Sequence, residues 1–78
     1  ATSLQLFPNP TSDQVQLILP QPQTLFIQVS DLSGRIVIQQ ELEKEIQATI
    51  GLPDLPGVYV IEIRDENGYG VMRKVMKR

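Results

Sequence analysis

Short turn motifs divide this chain into brief segments, and that division is the strongest constraint on its fold. The motifs recur about every 8–12 residues, the spacing typical of an all-β sandwich or barrel. In residues 31–34, Asp-Leu-Ser-Gly, the final Gly34 is placed to take a positive φ angle. In residues 65–68, Asp-Glu-Asn-Gly, the Asn-Gly pair predicts a tight type I′ hairpin turn. The pattern therefore predicts short antiparallel strands.

Between the turns, apolar residues occupy every second position, as they do on the buried face of a strand. The strongest such segment is residues 58–64, with Tyr59, Ile61 and Ile63 on one face. Comparable faces are formed by Val15, Leu17 and Leu19, by Leu25, Ile27 and Val29, and by Ile46, Ala48 and Ile50. We predict an all-β fold, a small antiparallel β-sandwich of six or seven strands.

Two local breaks set the predicted strand boundaries. Pro20-Gln21-Pro22 is predicted to end the first long strand, because proline lacks the N–H that strand pairing needs. Residues 25–41 are predicted to form a hairpin, and residues 42–45 a polar reversal before the next strand.

The last strand, at about residues 69–76, leaves two interpretations open. Val71 and Val75 face the core in one, and Met72 and Met76 face it in the other. In both, the final hairpin presents an exposed edge.

Composition excludes most catalytic chemistry. The chain has 78 residues, the length of one domain, and it contains no cysteine and no histidine. Disulfides, thiolate chemistry and every Ser-His or Cys-His dyad are therefore excluded. The net charge of −2, from 7 basic and 9 acidic side chains, argues against a nucleic-acid partner. No apolar run approaches the ~18 residues that a membrane-spanning helix needs, so no membrane insertion is expected.

The acidic clusters are better explained as solvated turns than as chemical sites. Glu41, Glu43 and Glu45 would point the same way on a strand, but no apolar cover surrounds them, as an acid-base pair requires. Residues 65–67 offer oxygen atoms without the spacing of a calcium loop. We predict no catalytic residue, no cofactor and no metal site, and we expect that the protein is not an enzyme.

Tyr59 and the basic C-terminal end are the other candidates for function. The pattern favours Tyr59 as a core residue that forms a hydrogen bond at its hydroxyl tip, rather than as a ligand platform. Four of the 7 basic residues lie in the last six positions, namely Arg73, Lys74, Lys77 and Arg78. These residues could bind an acidic partner, or they could simply keep an exposed edge strand soluble by their charge.

Four motifs in order add a family resemblance that covers nearly the whole chain. Their residues are Pro8, Asn9 and Pro10 after Phe7; Asp31 and Gly34 before Val37; Leu52, Leu55, Gly57 and Tyr59; and Gly68 with the closing Arg73, Lys74 and Lys77. Together they resemble the C-terminal sorting domain of the type IX (Por) secretion system of Gram-negative bacteria. Met76 departs from the family, which often has a β-branched or aliphatic residue there.

The resemblance implies an immunoglobulin-like sandwich and a non-catalytic export signal. Residues 1–5 would be a linker from an upstream cargo in the same chain, and residues 6–78 a single C-terminal sorting domain. The outer-membrane translocon would recognise this domain. A sortase would often then remove it and join the cargo to surface lipopolysaccharide. The cargo would be secreted or held at the cell surface after crossing the periplasm and the outer membrane.

Within that family, export depends on the closing segment, which by position includes Gly57, Tyr59, Gly68, Lys74 and Lys77. We hypothesise that the translocon reads the edge of the last hairpin by strand pairing and charge. An open edge would also allow a dimer. The alternative function is an accessory β-sandwich that binds polysaccharide or protein beside a catalytic domain.

Overall fold

Five antiparallel strands form all of the regular structure in the part of the chain that is described. The computed structural model describes residues 4–7 and 12–78. Its strands are β1 (Gln5–Phe7), β2 (Gln14–Asp31), β3 (Ile36–Gly51), β4 (Gly57–Asp65) and β5 (Gly70–Lys77). A search of these residues finds no helical segment that could span a membrane. The motif residues Pro8, Asn9 and Pro10 lie outside the described residues, as does most of the predicted linker.

The long strand β2 is the centre of one antiparallel sheet. β3 pairs along one side of β2. Along the other side β2 pairs first with β1 and then with β4, and β5 lies beyond β4. The predicted hairpin at residues 25–41 is confirmed, because Val29 pairs with Ile38 and Phe26 with Glu41.

β2 bends back on itself near its middle. A straight strand of its 18 residues would be about 60 Å long, whereas the longest dimension of the domain is 31 Å. The β2–β3 register shifts between Ile18 and Gln23 and again between Gln23 and Leu25. On β3 the facing stretch contains Lys44, whose φ angle is +51°. Irregularities of this kind bend strands, and here they curl the sheet.

The curl accounts for two errors in the predicted strand boundaries. Pro20 and Pro22 do not end β2, because they lie where the β2–β3 pairing is already interrupted and no ladder N–H is needed. Residues 42–45 do not reverse the chain, since β3 continues through them.

The predicted fold class is therefore confirmed only at its coarser level. The described residues are all-β and antiparallel, and they form five strands, so the predicted number of six or seven is not confirmed. The predicted immunoglobulin-like sandwich is not confirmed, because all five strands belong to a single curled sheet.

One apolar core joins the two halves of the curled sheet. Its most deeply buried members come from four strands and are Val15, Leu17, Val29, Ile50, Ile61 and Val75. They confirm the alternation predicted for β2 and β4. Leu42, which lies within the predicted polar reversal, is also buried. Because full burial of one such side chain contributes roughly 1.5–3 kcal/mol, this shared core is the main force that holds the curled shape.

β5 turns its valines toward the core. Val75 is buried and Val71 packs partly buried against the core, whereas Met72 and Met76 are 62% and 52% exposed. The inward face that the sequence left open is therefore that of the valines.

Removal of one methyl group from the core should be measurable against a matched surface change. Ile61→Val should lower the free energy of unfolding by about 1 kcal/mol, because Ile61 is fully buried. Ile36→Val should change it by less than about 0.5 kcal/mol, because Ile36 is 48% exposed. Urea denaturation of both variants tests this, and equal losses would contradict the assigned core.

Candidate recognition surface

The turn between β2 and β3 is built around the carboxylate of Asp31. The Gly34 N–H donates to the Asp31 carbonyl at 3.0 Å, and Gly34 has the predicted positive φ angle, +91°. Oδ1 of Asp31 accepts hydrogen bonds from the N–H groups of Ser33 and Arg35 at 2.9 and 3.1 Å. Asp31 and Gly34 thus shape the turn together, which explains why this residue pair is needed here.

The electrostatics of this turn favour the ionised form of Asp31. The Ser33 hydroxyl donates to Asp31 Oδ1 at 2.6 Å, and this bond is the main cause that lowers the pKa of Asp31 below its ordinary value. The backbone N–H groups of Arg35 and Ser33 and the charge of Arg35, 3.3 Å away, act in the same direction.

The turn between β4 and β5 repeats this design. The Gly68 N–H donates to the Asp65 carbonyl at 3.2 Å, and Oδ1 of Asp65 accepts from the N–H groups of Asn67 and Tyr69 at 2.9 and 3.0 Å. Gly68 has a φ angle of +88°, but Asn67 does not have a positive φ. The predicted type I′ turn is therefore wrong, because that type needs two positive φ angles; the contacts fit a type I turn with a glycine bulge.

Asp65 is a turn-forming residue that the site prediction missed. The signal that identifies it is the Asp-x-x-Gly spacing of residues 65–68, which is the same as in residues 31–34.

Two side chains fasten the connection between β3 and β4. Tyr59 is buried, and its hydroxyl donates to the Leu55 carbonyl at 2.6 Å, which confirms the predicted core role with a hydrogen bond at the tip. Lys77 is only 7% exposed, and its Nζ donates to the Asp54 carbonyl at 3.2 Å. Lys77 therefore ties the end of β5 to this connection, and it is not the exposed basic side chain that the sequence suggested.

Gly57 lets the connection enter β4. Its φ angle is +149°, a conformation that L-residues rarely adopt. Gly57 pairs with Lys77, so it lies beside the end of β5 that is bonded to the β3–β4 connection.

The C-terminal hairpin, β4 and β5, has an uninterrupted register from Gly57 opposite Lys77 to Arg64 opposite Gly70. Among the described residues β5 pairs with no strand other than β4, so its outer edge is open, as expected. Lys74 and Lys77 are separated by an odd number of positions, and alternation puts them on opposite faces. Of the four basic residues at this end, Lys77 is buried, whereas Arg73, Lys74 and Arg78 are exposed.

Comparison with known proteins agrees with the resemblance seen in the sequence. Residues 5–78 match the family model for the secretion system C-terminal sorting domain. The chain belongs to this family. Its members are type IX secretion signals that mark proteins for export to the cell surface or for secretion. No curated protein and no solved structure matches the chain.

The family match includes both Asp turns and the whole C-terminal hairpin. Among residues 4–7 and 12–78, no group of three or more acidic side chains is placed to hold a metal ion.

The Asp31 turn should show a specific dependence on pH. The pKa of Asp31 in the folded state is lowered from 3.8. The ionised carboxylate therefore stabilises the folded state fully above pH 3.8, and this stabilisation is lost as the pH falls through the folded-state pKa. Ser33→Ala should raise the Asp31 pKa toward 3.8, because it removes the main hydrogen-bond donor. A carboxyl NMR titration measures both values, and an unchanged pKa in Ser33→Ala would contradict this account.

A matched pair of glycine substitutions should separate backbone strain from steric space. An added Cβ would meet nothing within 4 Å at either Gly57 or Gly51, but only Gly57 has a positive φ angle. Gly57→Val should therefore lower the free energy of unfolding by about 1–3 kcal/mol more than Gly51→Val. Urea denaturation measures the free energy of unfolding of both variants. Equal values would contradict the proposed strain at Gly57.

Proposed function

We propose that this chain directs an upstream cargo through the outer-membrane translocon of the type IX system, and that the translocon binds the C-terminal hairpin. The observation that supports this most is that the exposed Arg73 and Lys74 lie on β5, an edge strand within the region that matches the family. A sorting signal acts by being bound by the translocon, so the chain does not need to catalyse a reaction.

The proposed mode of binding is pairing of a translocon strand with the outer edge of β5. An edge strand presents a row of backbone donors and acceptors that an extended segment can satisfy. The charges of Arg73 and Lys74 would select an acidic partner and speed its approach. Lys77 serves this mode indirectly, since its bond to the Asp54 carbonyl fixes the end of β5.

Processing by a sortase is the second part of the proposal. The cut would fall before the sorting domain or near its start, in or close to the linker at residues 1–5. The released cargo would then be joined to surface lipopolysaccharide or secreted. The motif residues Pro8, Asn9 and Pro10 follow this linker after two intervening residues, Leu6 and Phe7.

A polysaccharide-binding accessory domain is the second candidate, and one groove favours it. The groove has a volume of about 380 Å³ and is lined by Phe26, Gln28, Gln39, Glu41, Glu62 and Arg64 among others. An exposed aromatic ring beside amides and charges suits a sugar ring, whose faces are apolar and whose rim is polar. Glycan binding by the chain, together with export of cargo after deletion of residues 58–78, would favour this candidate over the sorting signal.

The charge part of the proposal is tested by export of a reporter placed upstream of residues 1–78 in a bacterium with a type IX system. Arg73→Glu combined with Lys74→Glu should reduce secreted reporter about tenfold, because like charges would then oppose the acidic partner. Immunoblots of the medium and of the periplasm measure it.

Two controls make this result specific. Arg73→Lys with Lys74→Arg keeps both charges and should export normally. Lys77→Met removes a buried hydrogen bond, so its effect should follow the loss of stability rather than the loss of charge. Normal export of the charge-reversed variant would show that charge is not read.

A further inference from the structure

We propose that Asn67, in the turn between β4 and β5, is a site of spontaneous chemical modification, at which the side-chain amide is converted to a carboxylate without an enzyme. The Asp65 carboxylate, which organises the same turn, slows this conversion. The reactivity is independent of the sorting function, because it belongs to one peptide unit and requires no partner.

The reaction begins at the backbone nitrogen of Gly68, the residue that follows Asn67. After this nitrogen loses its proton to a solvent base, it forms a bond to the side-chain carbonyl carbon of Asn67, and the side-chain nitrogen leaves as ammonia. The product is a five-membered cyclic imide. Water then adds to one of the two imide carbonyl carbons and breaks its bond to the ring nitrogen. Cleavage on the side-chain side gives aspartate, and cleavage on the backbone side gives isoaspartate, whose main chain contains an additional carbon atom.

The surroundings of Asn67 and Gly68 leave room for this ring. Both residues are exposed. An added Cβ on Gly68 would meet nothing within 4 Å, and glycine has no side chain that hinders attack by its own nitrogen. In the part of the chain that the structure describes, no hydrogen bond holds the side-chain amide of Asn67; its backbone N–H is the group that donates, to Asp65 Oδ1 at 2.9 Å. The reacting side chain can therefore rotate toward the nitrogen of Gly68.

Three hydrogen bonds to Asp65 restrain the reacting peptide unit. The Gly68 N–H, which must lose its proton, donates to the Asp65 carbonyl at 3.2 Å, compared with 3.0 Å for the matching bond of Gly34 in the other turn. Oδ1 of Asp65 accepts from the N–H groups on either side, those of Asn67 and Tyr69. Ring closure requires rotation of the peptide that these bonds hold, so the reaction proceeds from conformations in which the turn has opened locally.

The product changes both the charge and the geometry of the turn. A new carboxylate two residues from Asp65 places like charges in one turn and makes the net charge of −2 one unit more negative. Isoaspartate also lengthens the main chain beside the pair formed by Arg64 and Gly70, where the β4–β5 register ends. Both changes weaken the hairpin, so the converted chain should melt at a lower temperature than the unconverted chain.

The sequence confines the reaction to this position and supplies a control. The chain contains two asparagines, and the other one, Asn9, precedes Pro10, whose nitrogen carries no proton and cannot form the imide. No aspartate in the chain precedes a glycine. In the turn at residues 31–34, Ser33 occupies the position that corresponds to Asn67, so an Asp-x-x-Gly turn forms equally with serine there.

The test incubates the whole folded chain at neutral pH and follows its intact mass and its anion-exchange profile over time. A more acidic form should accumulate, with the mass change of an amide replaced by an acid, and peptide mapping should assign both aspartate and isoaspartate to residue 67. Asn67→Ser should keep the turn and form no acidic product over the same period.

A second comparison tests the role of Asp65. Asp65→Ala should speed the conversion about tenfold, because the turn loses the acceptor of two backbone N–H groups. Asp31→Ala is the matched control, since it removes the corresponding acceptor from the other turn and should leave the rate at Asn67 unchanged. If Asp65→Ala does not fold, Asp65→Ser, which retains a shorter acceptor, should also convert faster than the unchanged chain.

The contrary results are distinct. Conversion of the chain unfolded in urea but not of the folded chain would overturn the modification site, because the turn would then block the reaction. An acidic product from Asn67→Ser would overturn it as well, because the reacting residue would lie elsewhere. Equal acceleration in Asp31→Ala would overturn the role of Asp65, because general loss of stability would then set the rate.

Discussion

The bend shared by β2 and β3 is the constraint on which the rest of the structure depends. These are the two longest strands, and without a bend their inward faces could not meet around one core. The bend requires residues that tolerate an interrupted ladder, and Pro20, Pro22 and the positive-φ Lys44 all lie there. A domain of 78 residues can bury only a small apolar surface. Because the sheet closes over itself, both of its halves bury their apolar side chains in the same core.

The closed core in turn separates the two faces of the C-terminal hairpin. Apart from the exposed Arg73, side chains at odd positions of β4 and β5 serve the fold, and they include the unexpected Lys77, whose ammonium group is bonded to the Asp54 carbonyl. Met72 and Lys74, at even positions, are exposed at the surface. One strand can therefore hold the domain together and present a recognisable surface, because alternation sends neighbouring residues in opposite directions.

The turns show how family motifs arise from backbone requirements. Asp31 and Asp65 each accept two backbone N–H groups, and each is followed three residues later by a glycine with positive φ. Gly57 meets a similar need where the chain enters β4. These motif residues are explained as parts of the scaffold, whereas the side chains that a translocon would contact need not belong to a motif at all.

The sequence alone determined the all-β class, the buried alternation of β2 and β4, the positions of the two Asp-x-x-Gly turns and the family, because each follows from residues close together in the chain. It did not determine that β2 passes through two prolines, that β3 passes through residues 42–45, or that Leu42 and Lys77 are buried. Those features depend on contacts between distant segments: the bend is stabilised by the core it closes, and Lys77 is covered only once β5 lies beside the connection to β4. Tertiary structure also decided which face of β5 is exposed, because two valines compete there with two methionines and the valines are the ones that lie opposite the buried Tyr59 and Ile63.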